Sequence, residues 1–372
     1  MVSANPQAQS SVGSPAAQSS SAPPAPPASP AQQLAGRSLT TGWEVKQILN
    51  VQKDSTGGYF STCYLVEKGG QQAFLKALDY WKAFGPGKNP AEILQRMTQA
   101  YNFECEILRR CGSGTFDRVV KALEFGVEYL NPADPFTVVQ YVIFELAEKD
   151  IRAHLKVARQ LDMAWALRSL HHVATGLSQL HSAGIAHQDL KPSNVLVFPN
   201  ERKVGDLGRA AYKGLIAPHD SLEVAGHHDY APPELLYHSA SAEWDCRRFG
   251  CDLYLLGSMI SFFFAGNGMS HLMLSHLPTA FQPGTFNGPY QDVLPHLRVA
   301  FDTTVEEIAL EIPEEYRTSL VAALRQLCDP NPQLRGHPKS RSLGNAYSLE
   351  RFVALFDLLA HRAAIGIRTP VE

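Results

Sequence analysis

The 372-residue chain is short of charge. Asp, Glu, Lys and Arg make up 19% of it, and 33 basic residues stand against 36 acidic ones, a formal net charge of −3. With neither sign in excess, no bulk positive field draws the molecule to nucleic acid or to anionic lipid. Cysteine is scarce too. Its six copies, Cys63, Cys105, Cys111, Cys246, Cys251 and Cys328, include no C-x-x-C pair. That argues against a disulfide framework and a zinc site, and it fits a reducing, cytoplasmic setting. Long hydrophobic runs are missing as well. The longest, Leu253 to Ala265, holds 13 residues, two of them serines. A membrane-spanning helix needs roughly 20, so a buried core helix is expected there. The N-terminus lacks the basic-then-apolar order of a signal peptide.

What is present falls into distinct stretches. Residues 1–36 are dominated by Ser, Ala, Gln and Pro, with seven prolines and no charged side chain. Such a segment offers too little apolar surface to offset its ordering entropy, so a disordered tail is expected, reaching to about residue 41. Its PPAPP run at 23–27 suits a partner domain that reads Pro-rich peptides, although a solvated spacer is the plainer reading. From Gly42 onward short apolar runs alternate with turns, and Gln71–Leu78 after the Glu67–Gly70 turn reads as one arm of a hairpin. A Gly/Pro break at 84–90 precedes an expected helix from Pro90 to about Arg110. Two more strand-like runs follow, at 119–128 and 136–147. After Asp150 the pattern is largely helical, over 150–160, 163–183, 243–265, 314–328 and 348–362.

The stretch IAHQDLKPSNVLVFPNERKVGDLG, 185–208, carries the chemistry. It places Asp189, Lys191, Asn194 and Asp206 on two loops flanking a short hairpin. Phosphoryl transfer from a nucleotide needs a carboxylate near the acceptor hydroxyl, oxygen ligands for magnesium and a cation over the moving group. Asp189 suits the first task, Asn194 and Asp206 the second, and Lys191 the third. The hard oxygens of Asn and Asp suit Mg²⁺.

These residues resemble the eukaryotic-type Ser/Thr protein kinase family. HQDLKPSN (187–194) is similar to its catalytic loop, and GDLG (205–208) to its magnesium loop, with Leu207 where Phe is commonest. YAPPE (230–234) resembles the end of an activation segment, and DLYLLG (252–257) the start of the large buried helix that follows. Arg335 stands where the family supplies a partner for the Glu234 carboxylate. The resemblance, over about 42–360, implies an α+β, two-lobed protein-kinase-like fold. Its small β-rich lobe with one helix would span 42–147, its larger mainly helical lobe 148–362, and a short tail 363–372. It also implies ATP and Mg²⁺ between the lobes and a Ser or Thr hydroxyl of a protein as acceptor. Lys76 in AFLKAL would bridge the first phosphates. Its carboxylate partner would be Glu104 or Glu106, which point about 160° apart on a helix; Ile107 and Leu108 would turn the Glu104 face inward. Backbone groups of Glu145 and Ala147 in FELA would bond adenine, Phe144 would guard the rear and Leu196 would form the floor.

Four positions depart from the family pattern. The phosphate-covering loop is TGGYFS (56–61), where only Gly58 falls on a glycine position. Phe74 stands where a small Ala usually covers the base. Gln188, the non-RD feature, replaces an Arg that reads a phosphorylated loop, and His227 replaces a Ser or Thr beside the catalytic carboxylate. An active protein kinase is the expected function. A catalytically impaired scaffold of the same fold and a small-molecule kinase are the alternatives.

Overall fold

The computed structural model describes residues 28–49, 60–157 and 160–366. The Pro-rich stretch before residue 28, with the disorder and partner expected of it, lies outside these residues. So do Gly58 and most of the glycine-loop stretch, and the last six positions. Five antiparallel strands form the first unit: β1 (Glu44–Leu49), β2 (Ser61–Lys68), β3 (Gln71–Leu78), β4 (Ala122–Tyr129) and β5 (Val138–Glu145), in the order β1-β2-β3-β5-β4. The β2–β3 hairpin pairs Lys68 with Gln71 across Gly69 and Gly70, whose φ of 58° and 82° favour glycine and match the twist of a two-residue hairpin. Alternation then sorts β3: Ala73, Leu75 and Ala77 are fully buried on one face, which leaves Phe74 and Lys76 on the other.

The face carrying Tyr64, Val66, Ala73 and Leu75 is covered by residues expected to lie in the tail. Ala31, Leu34 and Leu39 pack against it, with Trp43 from just beyond the expected tail. Ser29 caps a short 3-10 turn, Pro30–Gln33, and its hydroxyl donates to Asp79 Oδ2 at 2.9 Å. Tyr64 donates its hydroxyl to the Ala31 carbonyl at 2.7 Å. The expected disordered tail therefore does not reach residue 41. A few apolar side chains suffice here because the sheet already presents a broad apolar face, which composition alone does not reveal.

Helix α1, Pro90–Ser113, starts with Asn89 accepting the Ala91 N–H and with Pro90 in the first turn. It crosses the opposite side of the sheet. The second unit follows β6 (Lys149–Asp150), with α2 (Ile151–Val157), α3 (Met163–Ser182), β7 (Ile185–Ala186), β8 (Val195–Val197), β9 (Arg202–Val204) and β10 (Ala211–Tyr212). Strands β6, β8 and β9 form one small sheet, and β7 pairs with β10. Then come α4 (Pro233–Leu236), α5 (Trp244–Ala265), α6 (Met269–Ser275), α7 (Tyr290–Glu311), α8 (Glu314–Leu327), α9 (Pro338–Ser342) and α10 (Glu350–Gly366). Among the described residues α5 is the one helix long and apolar enough to cross a membrane, and it is the largely buried centre of this unit. The pattern gave no expectation of α7, which contains Pro295; burial of Val293, Leu297, Phe301 and Val305 outweighs the lost backbone bond. Helix α10 runs to Gly366, so 363–366 are helix and not tail.

Candidate active site

Between the sheet and the helical unit lies a cleft of about 380 Å³, walled by Phe74, Lys76, Phe144, Ala147, Leu196 and Asp206, among others. That volume suits a drug-sized ligand. The alternation of β3 aims Lys76 into it. Lys76 Nζ lies 3.1 Å from Glu104 Oε1 and 3.2 Å from Asp206 Oδ1. Glu104 stands on the inward face of α1, its side chain 12% exposed. Glu106, 41% exposed, pairs with Arg110 one turn on. Burial alone would lower the lysine's pKa, but Asp206 and then Glu104 outweigh it and hold the ammonium above its ordinary value. Burial holds the Glu104 carboxyl up. In Asp206 burial pushes the same way, yet Lys76, with Lys191 and His187 behind it, keeps that carboxyl below its ordinary value. One cation thus serves two carboxylates unequally. Asp206 itself has φ 61° and ψ 76°, a left-handed backbone uncommon outside glycine and often found at functional sites.

The helical unit supplies a second carboxylate. Asp252 in α5, fully buried, accepts the His187 and Gln188 N–H groups at 2.7 Å each. His187 in turn contacts the Gly205 carbonyl at 3.0 Å. On the loop so fixed, Asp189 Oδ2 accepts from Lys191 Nζ at 2.9 Å and from Asn194 Nδ2 at 3.1 Å. Asp189 Oδ1 accepts the His227 N–H at 2.8 Å. That last bond needs close backbone approach: a Cβ on Gly226 would fall 2.4 Å from the Gln188 carbonyl oxygen. The contact expected of a hydroxyl at position 227 is made by main chain, and the imidazole, 46% exposed, turns to the Tyr230 ring. Gly205 N–H donates to the Asn194 carbonyl at 2.8 Å, tying the two loops together.

At the strand exit, the Glu145 carboxylate accepts Lys203 Nζ at 2.9 Å and the Lys121 N–H at 2.9 Å. The backbone N–H and C=O of Ala147 meet no hydrogen-bond partner among the described residues. Leu196, on β8, lines the opposite wall. Farther out, Arg335 grips Glu234 through both nitrogens at 2.6 Å. Sequence reasoning did not find Arg248 and Asp220, which meet beside Gln188. Their separation along the chain leaves no local spacing to read.

Residues 87–337 match the family model of the protein kinase domain. The chain belongs to the protein kinase family. Curated relatives include an Aurora kinase of Debaryomyces hansenii, 32% identical over 34% of this chain and 30% of its own. Another is cyclin-dependent kinase 1 of Encephalitozoon cuniculi, 33% identical over 28% of this chain and 38% of its own. The hormonally up-regulated neu tumor-associated kinase of Mus musculus is 25% identical over 57% of this chain and 26% of its own. The chain spans well under half the length of each of these relatives. The cleft between the sheet and the helices, lined by Lys76 and Asp206, is accordingly the candidate active site of a kinase domain.

Proposed function

We propose that this kinase transfers the γ-phosphoryl group of ATP to Ser or Thr hydroxyls of protein substrates, in a cytoplasmic setting. One observation carries the reading: a lysine shared by two carboxylates lines one cleft, and the loop of the second carboxylate, Asp206, is tied to the loop on which Asp189 is held by a lysine and an amide. Adenine would lie between Phe74 and Leu196, its polar edge against the backbone of Glu145 and Ala147. Lys76, steadied by Glu104, would hold the first phosphates. The donor set of the Asp206 carboxylate and the Asn194 carbonyl oxygen fits Mg²⁺, since both are hard oxygens on tied loops. Mg²⁺ bound there would supply positive charge against the phosphates. Asp189 would orient the acceptor hydroxyl and take its proton, while Lys191 would steady charge on the transferring group. The two fixed donors on Asp189 Oδ2 keep this carboxylate in place. YAPPE and the Glu234–Arg335 pair behind it support a peptide acceptor over a small molecule.

The test is a melting scan with ATP and Mg²⁺, followed by incubation with generic protein substrates read by mass spectrometry. The reading requires a ligand-dependent rise in Tm and new phosphoserine or phosphothreonine. A rise without phosphate transfer would make the domain a nucleotide-binding scaffold; transfer only to sugars or antibiotics would make it a small-molecule kinase.

A further inference from the structure

Beside Asp189, the neutral Gln188 occupies a strained place, with φ 61° and only 5% of the residue exposed. Its amide joins the start of the segment that follows Asp206 to helix α5. Gln188 Nε2 donates to the Arg209 carbonyl at 3.1 Å, and Gln188 Oε1 accepts from Nη1 of Arg248 on α5. Nη2 of the same guanidinium lies 2.5 Å from Asp220 Oδ1. Arg248 is 5% exposed, and Asp220 is its one ion-pair partner among the described residues. The other Asp220 oxygen accepts the Ala217 N–H at 2.7 Å, so this carboxylate also shapes its own turn. Neighbouring Arg247 donates to the Leu222 carbonyl at 3.1 Å. One residue before Asp220, His219 bonds the Ala210 carbonyl at 3.0 Å and meets the edge of Phe103, the residue preceding Glu104 on α1.

We propose that Asp220 and Arg248, acting through Gln188, are positioning residues that hold the 209–224 segment against the Asp189 loop without phosphorylation. The inference rests on the kinase reading for its effect on catalysis. An added phosphate orders such a segment by pairing with a cationic fork. Here the anion is a fixed side chain, and the fork comes from α5 because position 188 carries no charge. A planar guanidinium contacts the neutral amide and the carboxylate with separate nitrogens, which one lysine ammonium cannot reproduce in that geometry. Since Gln188 sits next to Asp189, loss of this bridge would displace the Asp189 loop. Ser221, next to Asp220, is exposed and has no part in the bridge.

The test compares the full chain with Asp220→Asn, Asp220→Glu, Arg248→Gln and Arg248→Lys. It reads amide hydrogen exchange over 209–224 without nucleotide, together with kcat and KM for ATP. Asp220→Asn and Arg248→Gln should each speed exchange in the segment and lower kcat about tenfold or more, with KM for ATP within about threefold. Asp220→Glu should recover most of the rate, Arg248→Lys little of it, and the double neutral variant should be no worse than either single one. Phosphatase treatment and Ser221→Ala should each change the wild-type rate by less than about threefold. Unchanged exchange and rate in Asp220→Asn, where the half-exposed partner is altered and folding is retained, would overturn the inference. So would a tenfold loss on dephosphorylation. If the wild type transfers no phosphate, the kinase reading fails by itself, and the exchange arm still decides whether the bridge holds the segment.

Discussion

The two sides of the cleft are built on different electrostatic plans. On the sheet side, Lys76 is divided between Glu104 of its own unit and Asp206 reaching in from the other, which leaves one carboxyl titrating above its ordinary value and the other below. Such an arrangement is poised to be re-partnered when further charge arrives. On the helical side, both Asp189 oxygens are already occupied by donors anchored to the backbone or to the same loop. Its supporting Asp252 is fully buried and bonded to two successive N–H groups. On the proposed reading the contrast is a division of labour: the sheet side would respond to the nucleotide, and the helical side would stand preformed for transfer.

The largest expected effect comes from removing the shared cation. Lys76→Met should lower phosphate transfer by about a hundredfold or more, because two buried carboxylates then face each other without compensation. Glu104→Gln should reproduce much of that loss. Glu106→Gln should stay within about twofold, since its pair with Arg110 is exposed. Steady-state kinetics on the three variants gives the ranking, and a reversed order of the two glutamates would break the comparison on its sheet side.

The next effect concerns the cover on the far face of the sheet. Ser29 and Thr62 both donate to Asp79 Oδ2, while Asp79 Oδ1, also buried, has no hydrogen-bond partner among the described residues. Ser29→Ala removes one of two hydroxyl donors from a buried carboxylate and should cost about 2 kcal/mol, seen as a lower urea midpoint with unchanged slope. Asp79 follows β3 directly, so the same variant should loosen hydrogen exchange around Lys76 and not around Asp189. Equal loosening on both sides would erase the distinction drawn here.

These two regions also differ in how far the sequence discloses them. The strands, the hairpin, α1 and the central α5 follow from periodicity and turn residues. The contact of Lys76 with Glu104 is readable because alternation fixes one partner and a helical face the other. The cover by Ala31, Leu34 and Leu39 is not readable, because Pro-, Ser- and Gln-rich surroundings mask a few well-placed apolar side chains. Arg248 and Asp220 are equally hidden: their meeting depends on where the chain returns after Asp206, which no local pattern encodes. Helix α7 escapes because Pro295 interrupts its signal while burial sustains it.

The smallest expected effect isolates the helical unit. His172 on α3 accepts the Arg202 N–H through Nδ1 at 3.1 Å, and burial, then Arg118, hold its pKa down at about 3. The unfolded value is about 6.5, so between these limits the unfolded chain binds more protons and folding stability falls as pH falls. The contribution is complete above about pH 6.5 and is progressively lost toward pH 3. His172→Gln, which keeps an acceptor for Arg202, should reduce the stability lost between pH 7 and about pH 5.5 by about 1 kcal/mol. Urea titrations at the two pH values check the sign; an unchanged pH slope would remove His172 from the account.

The most direct test of the division of labour is ATP affinity, measured by calorimetry with and without Mg²⁺, beside single-turnover phosphate transfer in Asp189→Asn and Asp206→Ala. Asp189→Asn should bind Mg²⁺–ATP within about threefold of wild type and lose transfer by about a hundredfold or more, whereas Asp206→Ala should lose the magnesium-dependent part of binding as well. Near wild-type transfer by Asp189→Asn, or equal losses of nucleotide affinity in both variants, would contradict it.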